Sequence, residues 1–327
     1  MNVFVVGGAG YIGSHTVRLL LEAGHSVTVF DNLSEGHAAA VPAETLVRGD
    51  LADLDGLTAA LGARRFDAVM HFAAHCSVGE SVADPEKYYL NNVVNSVNLL
   101  RAMRVAEVPG IVFSSSAATY GNPVENPITE AHPQNPINPY GRSKLQFEEI
   151  LADYARAYPI GYVALRYFNA AGAAPDAKLG EDHDPESHLI PIVLQVALGQ
   201  RPQVSVFGGD YDTPDGSCVR DYIHIYDLAQ AHILALGAIQ AGQGRRYNLG
   251  NGEGYSVREV IDVAQKVTGR TIHHIDAPRR PGDPATLVAS SEKITAELGW
   301  QSEFPQLEGI IETAWRWHRD HPQGYED

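Results

Sequence analysis

The apolar run Val3-Phe4-Val5-Val6 passes directly into Gly7-Gly8-Ala9-Gly10-Tyr11-Ile12-Gly13, and then into an amphipathic stretch from Ser14 to Ala23 that Gly24 closes. Few sequence features leave a chain so little freedom. The run is far too short to cross a membrane and reads as a buried strand, and the stretch after the glycines reads as a helix. Gly7, Gly10 and Gly13 recur at three-residue intervals between them. Missing Cβ atoms there favour a tight turn, close approach of backbone to a pyrophosphate, and close packing of a helix whose N-terminal amides face phosphates. The next strand, Ser26 to Phe30, ends in Asp31. A carboxylate there can take adenine-ribose hydroxyls and would repel a 2′-phosphate, so the pattern points to NAD rather than NADP.

Strands and helices continue to alternate. Leu46 to Arg48 leads into Gly49-Asp50-Leu51, and Ala68 to Ala74 leads into a small-residue turn. Both strand ends belong on the carboxyl edge of a parallel sheet, which makes Asp50, Leu51, Phe72 and Ala73 candidates to flank the adenine and second ribose. His71 and His75 have no thiol or carboxylate at helpful spacing, so no metal is expected. Ser81 to Ala106 reads as one long helix, containing Asn91 and Asn92 and apolar on more than one side. Ile111-Val112-Phe113 then delivers Ser114-Ser115-Ser116 to the same sheet edge. Pro123, Pro127, Pro133, Pro136 and Pro139 make the next connection a surface loop. It ends at Tyr140, where a helix begins that runs to about Ala157 and carries Tyr140 and Lys144 on one face.

The fold class is therefore α/β: a Rossmann-type doubly wound parallel sheet in residues 1–168, with a smaller α/β C-terminal substrate-binding lobe in 169–327. A segment near 219–240 is expected to return to the first domain, so that the two interleave. Gly180 to Pro191 is polar and irregular and reads as a lobe boundary and binding loop. The net charge of −16 argues against long-range attraction to nucleic acid or an anionic membrane, leaving anionic ligands to local arginines. Arg220 and Arg280 suit that task, because guanidinium forks match phosphate oxygens; the bland reading of Arg220 is an ion pair with Asp221, and Arg279 reads as solvated. Trp315 and Trp317 read as packing residues. Two distant cysteines, Cys76 and Cys218, argue against a disulfide framework or structural zinc. With no secretory signal or membrane-length apolar run, a cytoplasmic protein is expected.

The order Gly7, Gly10, Gly13, Asp31, Ser116, Tyr140, Lys144 resembles the extended branch of the short-chain dehydrogenase/reductase superfamily. The finer resemblance is to the UDP-glucose 4-epimerase family. It is carried by GGAGYIGSH from 7, DNLSEG from 31, SSSAATYG from 114, NPYGRSK from 138, LRYFNAAGA from 165, HLIP from 188, VFGGDY from 206, VRDYIHIYDLA from 219, YNLGNG from 247 and RRPGDP from 279. The resemblance implies tightly bound NAD regenerated in each turnover, UDP-glucose and UDP-galactose as substrates, and a homodimer formed through helices near Asn92 to Arg104 and Tyr140 to Ala157. The implied cofactor set is Gly7, Gly10, Tyr11, Ile12, Gly13, Asp31, Asn32, Asp50, Leu51, Phe72, Ala73, Asn92, Tyr140, Lys144 and Tyr167. On the substrate side it implies Asn169 and Leu189 at the diphosphate or uridine, Phe207 by the uracil, Asp283 at a ribose hydroxyl, and Ser205 in the binding set. His188 stands where many members place an amide. Leu287 falls at the sugar-pocket wall, where its intermediate size favours UDP-glucose and UDP-galactose over slower N-acetylated sugars.

The implied chemistry assigns Tyr140, Lys144 and Ser116 as catalytic. A free phenol is a poor base near neutrality, but a Lys144 ammonium and a positive nicotinamide both favour phenolate. Tyr140 would then take the proton from the C4 hydroxyl as hydride leaves C4, giving a transient 4-keto sugar. Ser116 would hold the hydroxyl or ketone, and hydride returned to the other face inverts C4. A sugar-nucleotide 4,6-dehydratase needs an acid and a base beside the ketone and carries Asp-Glu after the serine-like position, where this chain has Ala117-Ala118. The alternatives are a UDP-N-acetylhexosamine 4-epimerase, a 4,6-dehydratase, or a non-catalytic NAD-binding regulator.

Overall fold

Strands buried on both faces need a cover of helices on each side, and that requirement organises the chain. The computed structural model describes residues 1–280 and 283–326; Pro281 and Gly282 of the RRPGDP segment, and Asp327, lie outside the described residues. The strands run β1 (Asn2–Val6), β2 (Ser26–Asp31), β3 (Leu46–Arg48), β4 (Ala68–His71), β5 (Gly110–Ser116), β6 (Gly161–Tyr167), β7 (Asn169–Ala171), β8 (Val204–Phe207), β9 (Val219–Arg220), β10 (Tyr222–His224), β11 (Gly244–Leu249), β12 (Tyr255–Ser256), β13 (His274–Ala277) and β14 (Thr286–Leu287). Seven of them form one parallel sheet in the order β11-β6-β5-β4-β1-β2-β3. Chain direction switches between β1 and β4, and a crevice opens there at the carboxyl ends, as the doubly wound topology dictates.

One face of the sheet is covered by α1 (Tyr11–Glu22) and α8 (Ile225–Gly237), which pack on Val3, Val5, Val29 and Leu249. The other face is covered by α2 (Leu54–Gly62), α5 (Ser96–Val105) and α6 (Pro139–Ala157), packed on Phe4, Phe30, Val69 and Phe113. A separate core gathers α7 (Leu189–Ala197), α9 (Val257–Thr268) and α11 (Leu307–Asp320) around Val206, Ile261 and Ile311.

Three boundaries differ from the sequence expectation. The single helix expected over 81–106 is divided into α3 (Val78–Ala83), α4 (Pro85–Tyr89), a π-helical turn Leu90–Asn95 and α5. Asp84 ends α3 and caps α4, accepting from Lys87 N at 3.2 Å, and Pro85 opens the new helix with a nitrogen that has no proton to lose. The strand expected through Val219 to Tyr222 breaks at Asp221 into β9 and β10. The return to the first domain also extends past 240: β11 forms the sheet edge, while Ile294 of α10 (Glu292–Leu298) and Trp300 join the α1/α8 core.

Candidate active site

A cavity of about 1320 Å³ extends from the β1/β4 crevice to residues of the second core. Gly7, Gly10, Tyr11, Ile12, Gly13, Asp31, Asn32, Asp50, Leu51, Phe72 and Ala73 line one end. Gly7 has φ +73°, and a Cβ on it would come within 2.4 Å of Ala73 N; a Cβ on Gly13 would meet Gly7 O at 2.2 Å. The protein itself therefore demands glycine at both positions. Gly10 is different, because its Cβ would meet nothing closer than Gly7 O at 3.6 Å. The surrounding protein gives no steric reason for glycine there. Gly10 is also the N-cap of α1 and offers no side chain, so the first helical amides stand uncapped at the cavity wall. Asp31 accepts from Ala9 N and Leu33 N, both at 2.9 Å, which fixes its carboxylate and leaves further lone pairs. Asp50 is held the same way by Asn32 Nδ2 and Ala52 N, each at 2.8 Å. Amides, an unfilled Cβ position and a fixed carboxylate fit a dinucleotide.

Asn92, expected in the cofactor set, is not on the cavity wall. Its carboxamide clamps the backbone of His75, accepting from His75 N and donating to His75 O at 3.0 Å each, and also donates to Ser143 Oγ at 3.2 Å. The two histidines weighed as metal ligands have ordinary partners: His71 bonds Ser96 and His75 pairs with Glu35.

Ser116, Tyr140, Lys144 and Tyr167 line the middle of the cavity. Asn138 caps α6 by accepting from Gly141 N at 2.8 Å, and this sets the helix start that holds Tyr140. Burial pushes the Tyr140 phenol well above its ordinary value; Tyr167 and Cys76 add to the rise, and the Ser116 hydroxyl pulls the other way. Lys144 lies one helical turn after Tyr140. Its Nζ donates to Ser114 O at 2.9 Å and stands 5.9 Å from the centre of the Tyr140 ring. Burial pushes this amine down to about 8. Ser116 Oγ accepts from Ala118 N at 3.1 Å, which leaves its proton available for donation. One turn beyond Lys144, buried Glu148 accepts from Ser115 Oγ at 2.5 Å and from Arg166 Nε and Nη2 at 2.9 and 2.6 Å, pinning α6 to β5 and β6.

Asn169, His188, Leu189, Ser205, Phe207, Arg220, Arg280, Asp283 and Leu287 line the other end. Arg220 pairs with Asp283 and donates to Pro284 O at 2.8 Å. The alternative partner, Asp221, faces away: it is fully buried and accepts from the amides of Asn251, Gly252 and Ala289. Arg280 lies 3.9 Å over the Phe207 ring, and Arg279 pairs with Asp210 at the surface. Trp317 is buried in packing, as expected. Within the 180–191 segment read as a binding loop, Glu181, His183 and Glu186 also line the cavity beside His188, though the sequence reading did not single them out. Burial would lower His183, but the two carboxylates carry it up to about 10. Their signal was present as Glu-x-His-x-x-Glu-x-His.

Comparison with known proteins agrees with this geometry. The sequence profile of the NAD dependent epimerase/dehydratase family matches residues 3–250. A protein of Halalkalibacterium halodurans named UDP-glucose 4-epimerase is 55% identical, over 99% of this chain and 98% of that protein. The crystal structure of UDP-glucose 4-epimerase from Brucella ovis in complex with NAD is 49% identical with a TM-score of 0.93, covering 96% of this chain and 97% of that one. The enzyme of the same name from Bifidobacterium longum, solved in complex with NAD+ and UDP, is 41% identical with a TM-score of 0.94, covering 99% and 100%. The chain belongs to the NAD dependent epimerase/dehydratase family.

Proposed function

We propose that the protein is an NAD-dependent enzyme that interconverts UDP-galactose and UDP-glucose by inverting C4 of the hexose. One observation carries this reading: Ser116, Tyr140 and Lys144 converge on the cavity that also holds the glycine turn, and the positions after Ser116 are Ala117 and Ala118. Tyr167, Cys76, Ser116 and Tyr88 are the groups that act most on the Tyr140 phenol, with no carboxylate among them. Ala117 and Ala118 supply no acid or base directly after Ser116, which disfavours a dehydratase. A regulator that merely senses NAD would have no use for a buried phenol and serine facing one another.

Gly10, the amides of Tyr11 to Gly13, and Asp31 would hold the dinucleotide, with Asp50, Leu51, Phe72 and Ala73 flanking it. Bound NAD supplies reversible hydride exchange at the sugar C4, with a 4-keto sugar between the two transfers. Burial holds Tyr140 as a phenol in the chain alone, and a positive charge in the cavity makes it a base. Tyr140 takes the proton of the C4 hydroxyl and later returns it. Ser116 donates its hydrogen bond to the sugar oxygen, which steadies the ketone. Lys144 keeps α6 in register through Ser114 O and presents its remaining protons to the cofactor ribose. Arg220 and Arg280 hold the diphosphate, with Asp283 turning toward a ribose hydroxyl. Leu287, beside Arg220 in the β14/β9 pairing, sets the size limit and favours sugars without an N-acetyl group.

The protein acts as a cytoplasmic homodimer. Support comes from the free thiols of Cys76 and Cys218, and from exposed Val94 within the segment expected at a subunit interface, with exposed Leu90 and Val105 flanking it. Incubation with UDP-galactose should yield UDP-glucose on chromatography, with UDP-N-acetylglucosamine turned over more slowly. Folded, NAD-loaded protein that converts neither sugar nucleotide would rule the function out.

A further inference from the structure

The loop between β7 and α7 carries Glu181, His183, Glu186 and His188, each with one donor atom within 4.8 Å of the others. His188 Nδ1 stands 2.8 Å from Glu181 Oε1 and 3.3 Å from Glu186 Oε1. His183 Nδ1 stands 3.3 Å from Glu181 Oε1 and 3.7 Å from Glu186 Oε2. Ligands of a tetrahedral ion with bonds of about 2.0–2.2 Å lie about 3.3–3.6 Å apart, and the four separations bracket that range.

The His–Glu contacts leave two of these atoms without a well-formed hydrogen bond. Glu181 Oε1 and His183 Nδ1 are both buried and have no hydrogen-bond partner among the described residues, although each lies within ion-pair distance of the other. His183 Nδ1 approaches Glu181 Oε1 to 3.3 Å without hydrogen-bond geometry, an arrangement that suits two lone pairs converging on a shared cation. Glu181 is 3% exposed, so an oxygen left without a partner there is costly. The surrounding contacts hold the ligands in place. Ser187 N and His188 N donate to Glu186 Oε1 at 2.7 and 2.8 Å, and Trp317 Nε1 donates to Glu181 O at 3.2 Å.

We propose that Glu181, His183, Glu186 and His188 bind one Zn²⁺ ion. Two carboxylates balance its charge, and two imidazoles favour zinc over magnesium or calcium. Four protein ligands form a closed set, so the ion is structural and does not activate water. It fixes the loop that leads into Leu189. The His183 ring meets Tyr11 edge-on, with centroids 6.2 Å apart, so the same ion links the substrate-side loop to the glycine turn.

The test uses tag-free, NAD-loaded protein purified without chelator. Elemental analysis should find about one zinc per chain, and crystals should show an anomalous peak at the zinc edge between the two Nδ1 atoms. Chelator treatment should lower the melting temperature by several degrees; Zn²⁺ should restore it and Mg²⁺ should not. The double variant His183→Ala/His188→Ala should lose both the zinc and the thermal response. Zinc-free parent protein whose melting does not respond to added Zn²⁺ would overturn the proposal, even if the double variant fails to fold. So would zinc retained in the double variant, or an anomalous peak elsewhere.

Discussion

The glycine turn allows fold and cofactor binding to be separated by two substitutions three residues apart. Gly10→Ala places a methyl group where the nearest protein atom is 3.6 Å away, at φ −77° and ψ 175°, a conformation any residue adopts. The loss of backbone freedom in the unfolded chain and the weaker helix cap nearly offset each other, so stability should change by less than about 1 kcal/mol. The methyl group does fill the space where a pyrophosphate must approach. Overpacking of that kind costs about 1–3 kcal/mol, which is about 5- to 150-fold in NAD affinity. Gly13→Ala instead drives a Cβ to 2.2 Å from Gly7 O and 2.7 Å from Gly8 Cα, both backbone atoms that cannot yield without opening the turn. It should lose stability at or above the upper end of the about 1–3 kcal/mol range for overpacked sites. Thermal melting and calorimetric titration of NAD into the stripped protein measure both effects. A Gly10→Ala protein that binds NAD as tightly as the parent, or melts as low as Gly13→Ala, would show that Gly10 does not make room for a pyrophosphate.

Tyr140→Phe should lower turnover by about 10²–10⁴-fold with NAD content and melting unchanged, and a variant within tenfold of the parent would remove the phenol from the mechanism. Arg220→Ala strips Asp283 of its partner at the cavity wall and should raise KM for UDP-glucose by about 10- to 150-fold while leaving kcat close to normal; an unchanged KM would contradict the clamp. His71, His224 and His232 are buried neutral, with burial pushing them down to about 3, 3 and 4. Their stabilising effect is present above their unfolded value of 6.5 and is lost as pH falls toward the folded values. Buried His15, pushed down to about 4, adds to this loss, while Asp221, lifted by burial to about 6, and His183 and His188, raised by their carboxylates, offset part of it. The melting temperature should therefore fall between about pH 7 and pH 5, and a flat profile would show that these imidazoles already carry charge in the native state.

What the sequence made legible was local. The three glycines, Asp31 and the Tyr140/Lys144 spacing each lie within one strand-turn-helix unit, so period and turn chemistry place them. Contacts made by distant segments were not legible. Arg220 and Asp283 are 63 residues apart, and the pattern around Arg220 offered adjacent Asp221 instead. Asn92 sits in the expected segment, yet its amide is taken up by the backbone of His75 and the side chain of Ser143, and the residue does not line the cavity. Lys144 was placed correctly on its helix, but burial and Ser114 O decide where its ammonium points. Two signals were readable and passed over: Asp84-Pro85, which breaks the long helix, and the Glu-x-His-x-x-Glu-x-His run, whose ligand-like spacing lay outside the histidines weighed for a metal.

In the proposed reaction C4 is oxidised and then reduced by the same hydride in one site. UDP-galactose carrying deuterium at C4 of the sugar tests this directly, with the product examined by NMR and mass spectrometry. The product should be UDP-glucose that retains deuterium at C4, with none released to water. Label lost to solvent, a dehydrated keto sugar as the final product, or no conversion by folded, NAD-loaded protein would contradict it.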